Sequence, residues 1–243
     1  MADKKVLIVY AHQSAGSFNA AVRDVAIKEL SEQGYQVIVS DLYAMNFKAN
    51  ATRDDIIGDL KNPDLFQYGE ETMHAWNDGR LSDDIMAEQR KVEEAELVIF
   101  QFPMYWFSVP AIMKGWMDRV LTQGFAFSLK NMYDNGIFKN GTLHFCGFQV
   151  LAPQIFWNPA HRPIVDRTAM LEKWSARLKG LIAEKSLTYA KCEWFGLSFE
   201  QGFLLRPEVQ EEHESNVYGI TTGHHLGKLL PPDNQIRVQV TDK

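Results

Sequence analysis

Short apolar runs and amphipathic stretches alternate along the first part of the chain. Lys5–Tyr10 (KVLIVY) is rich in β-branched residues, which predicts a strand buried on both faces, as strands of parallel sheets are. After a polar turn, apolar residues recur at helical spacing from residue 18 to residue 30, and Gly34 is a typical helix end. Residues 36–40 (QVIVS) predict a second strand. Strand, helix and strand with short links indicate a right-handed βαβ unit.

The alternation resumes after an irregular stretch at residues 41–81. Ser82, followed by two aspartates, predicts the start of a helix that ends near residue 94. Residues 97–101 predict a third strand, and Pro110 is well placed to open the next helix. Residues 147–156 predict a fourth strand, and a further helix is predicted at 168–184.

The order of these elements predicts an α/β protein with a doubly wound parallel sheet. Such a sheet adds a strand and a crossover helix in turn. Between the helix that follows Pro110 and the strand near residue 147, one more strand is expected, and the pattern contains none. The sheet is therefore expected to lack one central strand.

Composition narrows the classes of protein. A net charge of −6 and a pI of about 5.7 argue against a nucleic-acid surface, which needs a basic patch. No run of lysine or arginine indicates attraction to a membrane. Residues 97–117 are apolar, but Gln101, Pro103 and Lys114 interrupt them, so no membrane span is expected. With 2 cysteines and only a short apolar run at the N-terminus, we expect a reducing compartment.

The turn after the first strand, residues 12–19 (HQSAGSFN), is the first candidate site. Small and hydroxyl-bearing residues before a helix expose backbone N–H groups to an anion. The sequence has neither a GxGxxG pattern nor a Walker pattern, so an anion site and a plain polar turn remain alternatives.

The second candidate is an aromatic loop at residues 102–107 (FPMYWF), directly after the third strand. Aromatic rings stack on planar ligands, whereas the alternative is a hydrophobic corner of the core. Ligands of open α/β sheets bind at the carboxyl ends of the strands, where both candidate loops are expected. Their combination favours a planar ligand with an anionic part.

The histidines carry little information. His144 lies in an apolar run and is expected to be a core residue. The adjacent pair His224 and His225 has poor spacing for binding one metal ion, and no metal site is expected. No Ser-His-Asp or Cys-His arrangement can be read from the sequence.

The two loops, together with other stretches, resemble the NAD(P)H:quinone oxidoreductase (DT-diaphorase) family of FAD flavoproteins. The matching stretches are KKVLIVYAH, SFN at 17–19, SDLYAMNF at 40–47, LVIFQFPMYWFSVPAIMKGWMDRV at 97–120, HFCGFQVLAPQ at 144–154, and GHHLGK and DNQI in the tail. The resemblance implies a flavodoxin-like fold and a cytoplasmic homodimer with active sites across the subunit interface. It implies an FAD-binding domain at 1–190 and an arm at 191–243 that packs on the active site or the partner.

The resemblance also implies cofactor-binding residues, carried over by position. The FAD contacts would be His12, Ser17, Phe18, Asn19, Gln67, Met104, Tyr105, Trp106, Phe107, Asp118, Arg167 and Leu171. The turn residues would hold the diphosphate, residues 104–107 would bed the isoalloxazine, and Arg167 with Leu171 would contact the adenine. Asp118 stands where the family has an acidic residue near the partner's FAD.

Substrates implied by the resemblance are NAD(P)H and quinones, used alternately in a ping-pong reaction. The pocket would be lined by Phe127, Leu129, Met132, Phe145, Phe199 and Phe203. The tail is typical of the NAD(P)H branch of the family, whereas Tyr105 and Phe127 are typical of the branch that uses dihydronicotinamide riboside. Both reductants remain alternatives.

One block of the family pattern is missing between Asn140 and Gly141. In the family, this block of roughly 35 residues, the size of a supersecondary unit, holds a strand, a glycine loop beside the flavin and a Tyr/His pair that assists hydride transfer. No catalytic acid–base residue therefore carries over. We expect either an impaired quinone reductase, as a splice-like version of the enzyme, or an inactive chain that binds flavin weakly or only dimerises.

Overall fold

Three parallel strands form the sheet of the computed structural model, which describes residues 4–127, 142–198, 200–202, 204–215 and 220. The strands are β1 (Lys5–Tyr10), β2 (Gln36–Asp41) and β3 (Ala95–Gln101), in the order β2-β1-β3. All three were predicted from the sequence and are confirmed. Three strands within the described ranges are consistent with the expected loss of a central strand.

β1 is the centre of the core, since it pairs with β2 on one side and with β3 on the other. Val6 is fully buried and faces Val37 and Leu97 in the two neighbouring strands. The strand is buried to its end, where Tyr10 is only 1% exposed. This double burial is the reason for the unbroken apolar run in its sequence.

Helices flank and follow these strands. Their bounds are α1 Phe18–Glu32, α2 Tyr68–Asn77, α3 Asp83–Glu94, α4 Ala111–Val120, α5 Thr142–Phe145, α6 Ile164–Leu178 and α7 Pro207–His213. Single 3-10 turns lie at Arg53–Asp55, Pro159–His161, Leu181–Ala183 and Cys192–Trp194. None of the helices in these ranges combines the length and the apolar character that crossing a membrane requires.

The first helix begins and ends as the sequence predicts. The Ser17 hydroxyl accepts a hydrogen bond from the Ala20 amide at 3.1 Å and caps α1. Gly34 follows the helix with φ of +85°, a conformation that suits glycine. α1 packs against α6, where the Trp174 indole N–H donates to the Val22 carbonyl at 3.2 Å.

Three sequence-based expectations differ from the structure. Residues 41–81 are not irregular throughout, because they contain α2. The helix expected at 168–184 begins one turn earlier, at Ile164, and ends at Leu178. Residues 147–156 form no strand; the Val150 carbonyl instead accepts a hydrogen bond from the Leu187 amide at 2.7 Å. A strand needs a paired neighbour, and this segment has no parallel partner among the described residues.

The chain divides into two compact units. The first comprises Met1–Ala126 and Ile155–Glu184 and contains the whole sheet. The second comprises Phe127–Gln154 and Lys185–Lys243. In the second unit the His144 ring stacks on the Tyr189 ring with centroids 4.0 Å apart, and the Trp194 and His213 rings lie 5.0 Å apart.

Candidate functional site

The carboxyl ends of β1 and β3 lie side by side, with Tyr10 paired to Gln101. From β1 the chain continues through α1 to β2, which pairs with one edge of β1, and the later strand β3 pairs with the opposite edge of β1. Strand order reverses at this point, which is where open α/β sheets of this order form their ligand crevice. Both sequence-predicted loops therefore begin at the edge of one crevice.

The loop after β1 is ordered by its own polar groups. The Ser14 amide donates to His12 Nδ1 at 3.0 Å, and the Ser17 amide donates to the Ser14 carbonyl at 3.2 Å. Gly16 is exposed, and the loop leads directly into the N-terminus of α1. The arrangement suits an anion, because a helix N-terminus carries partial positive charge.

Gln101 joins the end of β3 to the start of α1. Its side-chain amide donates to the Asn19 carbonyl at 2.5 Å. Its Oε1 atom is buried and has no hydrogen-bond partner among the described residues. Burial also raises the pKa of Tyr10, at the end of the neighbouring strand. A buried acceptor without a partner is rare in folded proteins and is consistent with a ligand at this edge.

The aromatic loop forms a tight two-residue turn. The backbones of Tyr105 and Ser108 exchange two hydrogen bonds of 3.0 Å, and Trp106 and Phe107 both have positive φ, of 48° and 59°. Such turns favour glycine or asparagine, so two large aromatic residues here cost on the order of 1–3 kcal/mol each. Their side chains are 93% and 90% exposed. Strain combined with exposed rings indicates a functional surface rather than a core corner.

The two loops meet through one polar contact. The Gln13 side-chain amide lies 3.5 Å from the Tyr105 hydroxyl, across 92 positions of sequence. The turn after β1 and the exposed aromatic turn therefore form one continuous edge. Such an edge fits a long ligand with an anionic part and a flat ring. Within the described ranges, no group of three His, Cys, Asp or Glu side chains is arranged to hold a metal ion.

The remaining sequence-predicted residues lie on several elements. Gln67 is exposed and immediately precedes α2, and Asp118 is exposed on α4, where it pairs with Lys114 at 2.5 Å. Arg167 and Leu171 are half-buried and lie one turn apart on α6.

The predicted aromatic residues make ring contacts where the structure describes them. The Phe18 ring packs edge-on against Phe156 at 5.5 Å. The Phe127 and Phe145 rings lie 5.1 Å apart in the second unit; Leu129, Met132, Phe199 and Phe203 lie outside the described residues.

Sequence reasoning missed a buried ionic cluster in the first unit. Asp55 and Arg119 are each 1% exposed, and Arg119 donates to both Asp55 oxygens, at 2.9 and 3.1 Å. Arg119 also donates to Asp84 at 2.6 Å. Burial alone would raise the pKa of Asp55, but hydrogen bonds from Arg119 and Tyr68 outweigh it and lower that pKa. No local motif marks this pair, because 64 positions separate its members.

These features define the class of protein. A parallel sheet in the order β2-β1-β3, with a crevice beyond the ends of β1 and β3, is the flavodoxin-like arrangement. A family model described as flavodoxin-like fold matches residues 4–140. The chain is also similar to a quinone reductase structure from Klebsiella pneumoniae, with a TM-score of 0.74, 29% identity, and 85% of this chain and 95% of that chain covered.

Curated relatives give the family more closely. NAD(P)H dehydrogenase [quinone] 1 of Rattus norvegicus is 44% identical over 273 residues, which cover 98% of this chain and 100% of that protein. Ribosyldihydronicotinamide dehydrogenase [quinone] of Homo sapiens is 48% identical over 230 residues, covering 81% of this chain and 100% of that protein. The chain belongs to the NAD(P)H:quinone oxidoreductase family, a family of oxidoreductases.

Proposed function

We propose that this chain reduces quinones by two electrons at the expense of NAD(P)H, using FAD, in a ping-pong reaction that is impaired here. The observation that carries this proposal is the continuous edge made by the turn at residues 12–17 and the aromatic turn at 105–108, joined by Gln13 and Tyr105. Family membership supports the reaction class, since relatives on both branches are named quinone dehydrogenases.

The residues at this edge suit FAD. His12, Ser17, Phe18 and Asn19 surround the N-terminus of α1, which would attract the diphosphate. Met104, Tyr105, Trp106 and Phe107 are 41–93% exposed and would support the flat ring system. Arg167 and Leu171 on α6 would contact the adenine, a part that FMN lacks. The family resemblance, which implies these adenine contacts, is the reason for proposing FAD rather than FMN.

The substrate pocket is proposed to consist of Phe127, Leu129, Met132, Phe145, Phe199 and Phe203. The contact between Phe127 and Phe145 supports an aromatic lining, which would pack on nicotinamide and quinone rings in turn. NAD(P)H is the proposed reductant because the alignment with NAD(P)H dehydrogenase [quinone] 1 of Rattus norvegicus covers 98% of this chain. The alignment with ribosyldihydronicotinamide dehydrogenase [quinone] of Homo sapiens covers 81%.

Bound flavin would supply the hydride chemistry, and the protein would supply position and a dry surface. The aromatic turn would hold the ring and exclude water, and the α1 N-terminus would neutralise the phosphate charge. The proposed impairment is supported by the alignment with the rat relative. The alignment spans 273 positions, but 98% of this 243-residue chain is only about 238 residues. About 35 positions of the alignment therefore have no counterpart here, which is the size of a supersecondary unit.

A homodimer is proposed because large apolar side chains are exposed on the first unit. They are Tyr43, Met45, Ile57, Leu65, Phe66, Met104, Tyr105, Trp106, Phe107, Trp157, Ile164, Val165 and Ile182. Clustered exposed apolar side chains mark interaction surfaces, and Leu65 with Phe66, residues 104–107, and Ile164 with Val165 are neighbours in the chain. We also propose a cytoplasmic location. Cys146 has a free thiol, whose pKa is raised by burial, and a free thiol is compatible with a reducing compartment.

Flavin binding tests this function directly. The purified chain should retain FAD through gel filtration and quench FAD fluorescence on titration, with FMN binding more weakly. Trp106→Ala should weaken FAD binding, whereas Trp106→Phe, which keeps an aromatic ring at the same position, serves as the matched control and should bind FAD nearly as the parent does. A chain that retains its fold and binds neither flavin would overturn the proposal and favour the inactive alternative.

A further inference from the structure

Two proposed cofactor contacts stand next to residues that bond to the same buried carboxylate. Gln67 immediately precedes Tyr68, whose hydroxyl donates to Asp55 Oδ2 at 2.8 Å. Asp118 immediately precedes Arg119, which donates to both oxygens of Asp55. One side chain thus holds the start of α2 and the end of α4, segments far apart in sequence.

Asp55 is itself rigidly held. It is 1% exposed, and the Thr52 amide donates to its Oδ2 at 3.1 Å, while Lys48 Nζ lies 3.4 Å from its Oδ1. Arg119 is fixed on its other side, where it donates to the Lys48 carbonyl at 2.9 Å and lies 4.9 Å over the Phe47 ring. These hydrogen bonds and the ion pair hold the Asp55 carboxylate in one orientation, so it can position the residues that bond to it.

Gln67 and Asp118 are exposed residues that adjoin this cluster in the chain. Burial raises the pKa of Tyr68, its hydrogen bond to Asp55 raises it further, and the Asp118 carboxylate is close enough to add to the shift. Gln67 is flanked in the chain by Phe66, whose ring is half-exposed, and by Tyr68, and these two rings lie 6.3 Å apart.

We propose that Asp55 is a positioning residue that fixes the spacing of Gln67 and Asp118, two proposed FAD contacts. The inference rests on the proposed function and deepens it, since it names what sets the spacing of the two contacts. Fixing two contacts before the ligand arrives reduces the ordering cost of binding. Asp55 itself touches no cofactor in this account and acts through Tyr68 and Arg119.

Tyr68→Phe tests the anchor with a small change, because it removes only the hydroxyl that bonds to Asp55. The matched control is Ser40→Ala, which removes a hydroxyl that donates to another buried carboxylate, Glu88, at 3.1 Å. We expect Tyr68→Phe to weaken FAD binding about tenfold and Ser40→Ala to weaken it less than about twofold. Urea unfolding of both apo variants shows whether their losses of stability are comparable.

A double-mutant cycle with Gln67→Ala separates positioning from general loosening. If Tyr68 acts by placing Gln67, the effect of Gln67→Ala on FAD affinity nearly disappears in the Tyr68→Phe background. Additive effects, or equal losses in Tyr68→Phe and Ser40→Ala, would overturn the inference while leaving the proposed function intact. An unmodified chain that binds no FAD would overturn both.

Discussion

Gly115 on α4 lies directly against the backbone of Ala49. A side-chain carbon added at Gly115 would overlap the Ala49 carbonyl oxygen, which has no freedom to turn away as a side chain would. The segment around Ala49 leads into Thr52 and Asp55, so this close approach positions the ionic cluster under α4.

Gly115→Ala is expected to destabilise the fold by about 1–3 kcal/mol, the usual cost of forcing extra volume into a packed site. Gly69→Ala is the matched control, since Gly69 is also helical but has open space around its added carbon. That substitution should stabilise by about 0.5–1 kcal/mol, because alanine favours helix. Urea unfolding of both variants measures the difference, and equal effects would contradict the packing described for Gly115.

Phe107→Gly is expected to stabilise the ligand-free chain and weaken FAD binding. Glycine tolerates the φ of +59° at this position, so the gain should be about 1 kcal/mol, whereas the exposed ring is lost from the proposed flavin bed. Phe107→Ala is the control, since it removes the ring and keeps most of the backbone strain. Thermal unfolding and FAD titration of both variants separate the two contributions. A destabilised Phe107→Gly chain with unchanged FAD affinity would contradict this account.

Gln101→Met should leave the stability of the ligand-free chain within about 1 kcal/mol of the parent. The substitution loses the hydrogen bond to Asn19 but also removes a buried acceptor that has no partner in the described structure, and these effects oppose each other. If that acceptor serves the ligand, FAD affinity falls about tenfold or more. Gln101→Glu keeps an acceptor and serves for comparison. A fall in stability with no change in affinity would show that Gln101 is purely structural.

Stability should decline in acid as the paired carboxylates take up protons. The pKa values of Asp55 and Asp84 are lowered from 3.8, and that of Glu71 is lowered from 4.5. Folded-state values below the unfolded ones stabilise the protein above pH 4.5, and this stabilisation is lost as the pH falls through 4.5 and 3.8 and below.

Asp84→Asn tests this pH dependence. Burial alone would raise the pKa of Asp84, but hydrogen bonds from Arg119 and Ser82 lower it. The variant should lose about 1 kcal/mol near pH 7, because the Asp84 side chain is 40% exposed and solvent screens its pairing with Arg119, and it should decline less steeply in acid. Urea unfolding across the pH range measures both quantities. A variant with the parent's slope below pH 4 would contradict the role given to Asp84.

The sequence predicted those parts of the fold that depend on local pattern. The apolar run of β1 and the Ser17 and Gly34 boundaries of α1 are confirmed because burial and capping are determined by neighbouring residues. Ser82 marks the start of α3 correctly, although its hydroxyl donates to Asp84 rather than capping the helix. α2 was missed because its apolar positions are few, and its buried residues include Glu71 and Thr72.

The candidate site was only partly predictable. Its two loops could be found because each follows a predicted strand, and parallel strands end at one edge. Their contact through Gln13 and Tyr105 could not be predicted, and neither could the pairing of Asp55 with Arg119. Charged residues are common along the chain, and only the folded structure selects which of them are buried together.

The most direct test of the proposed reaction is anaerobic reduction of the FAD-loaded chain. NADPH or NADH should bleach the visible flavin absorbance slowly, and adding a quinone should restore it. Slowness is expected because general acid–base assistance contributes about 10²–10⁴-fold, and no acid–base residue is assigned here. A bound flavin that dithionite bleaches, but that neither nicotinamide reduces, would contradict the central claim that this chain is a quinone oxidoreductase.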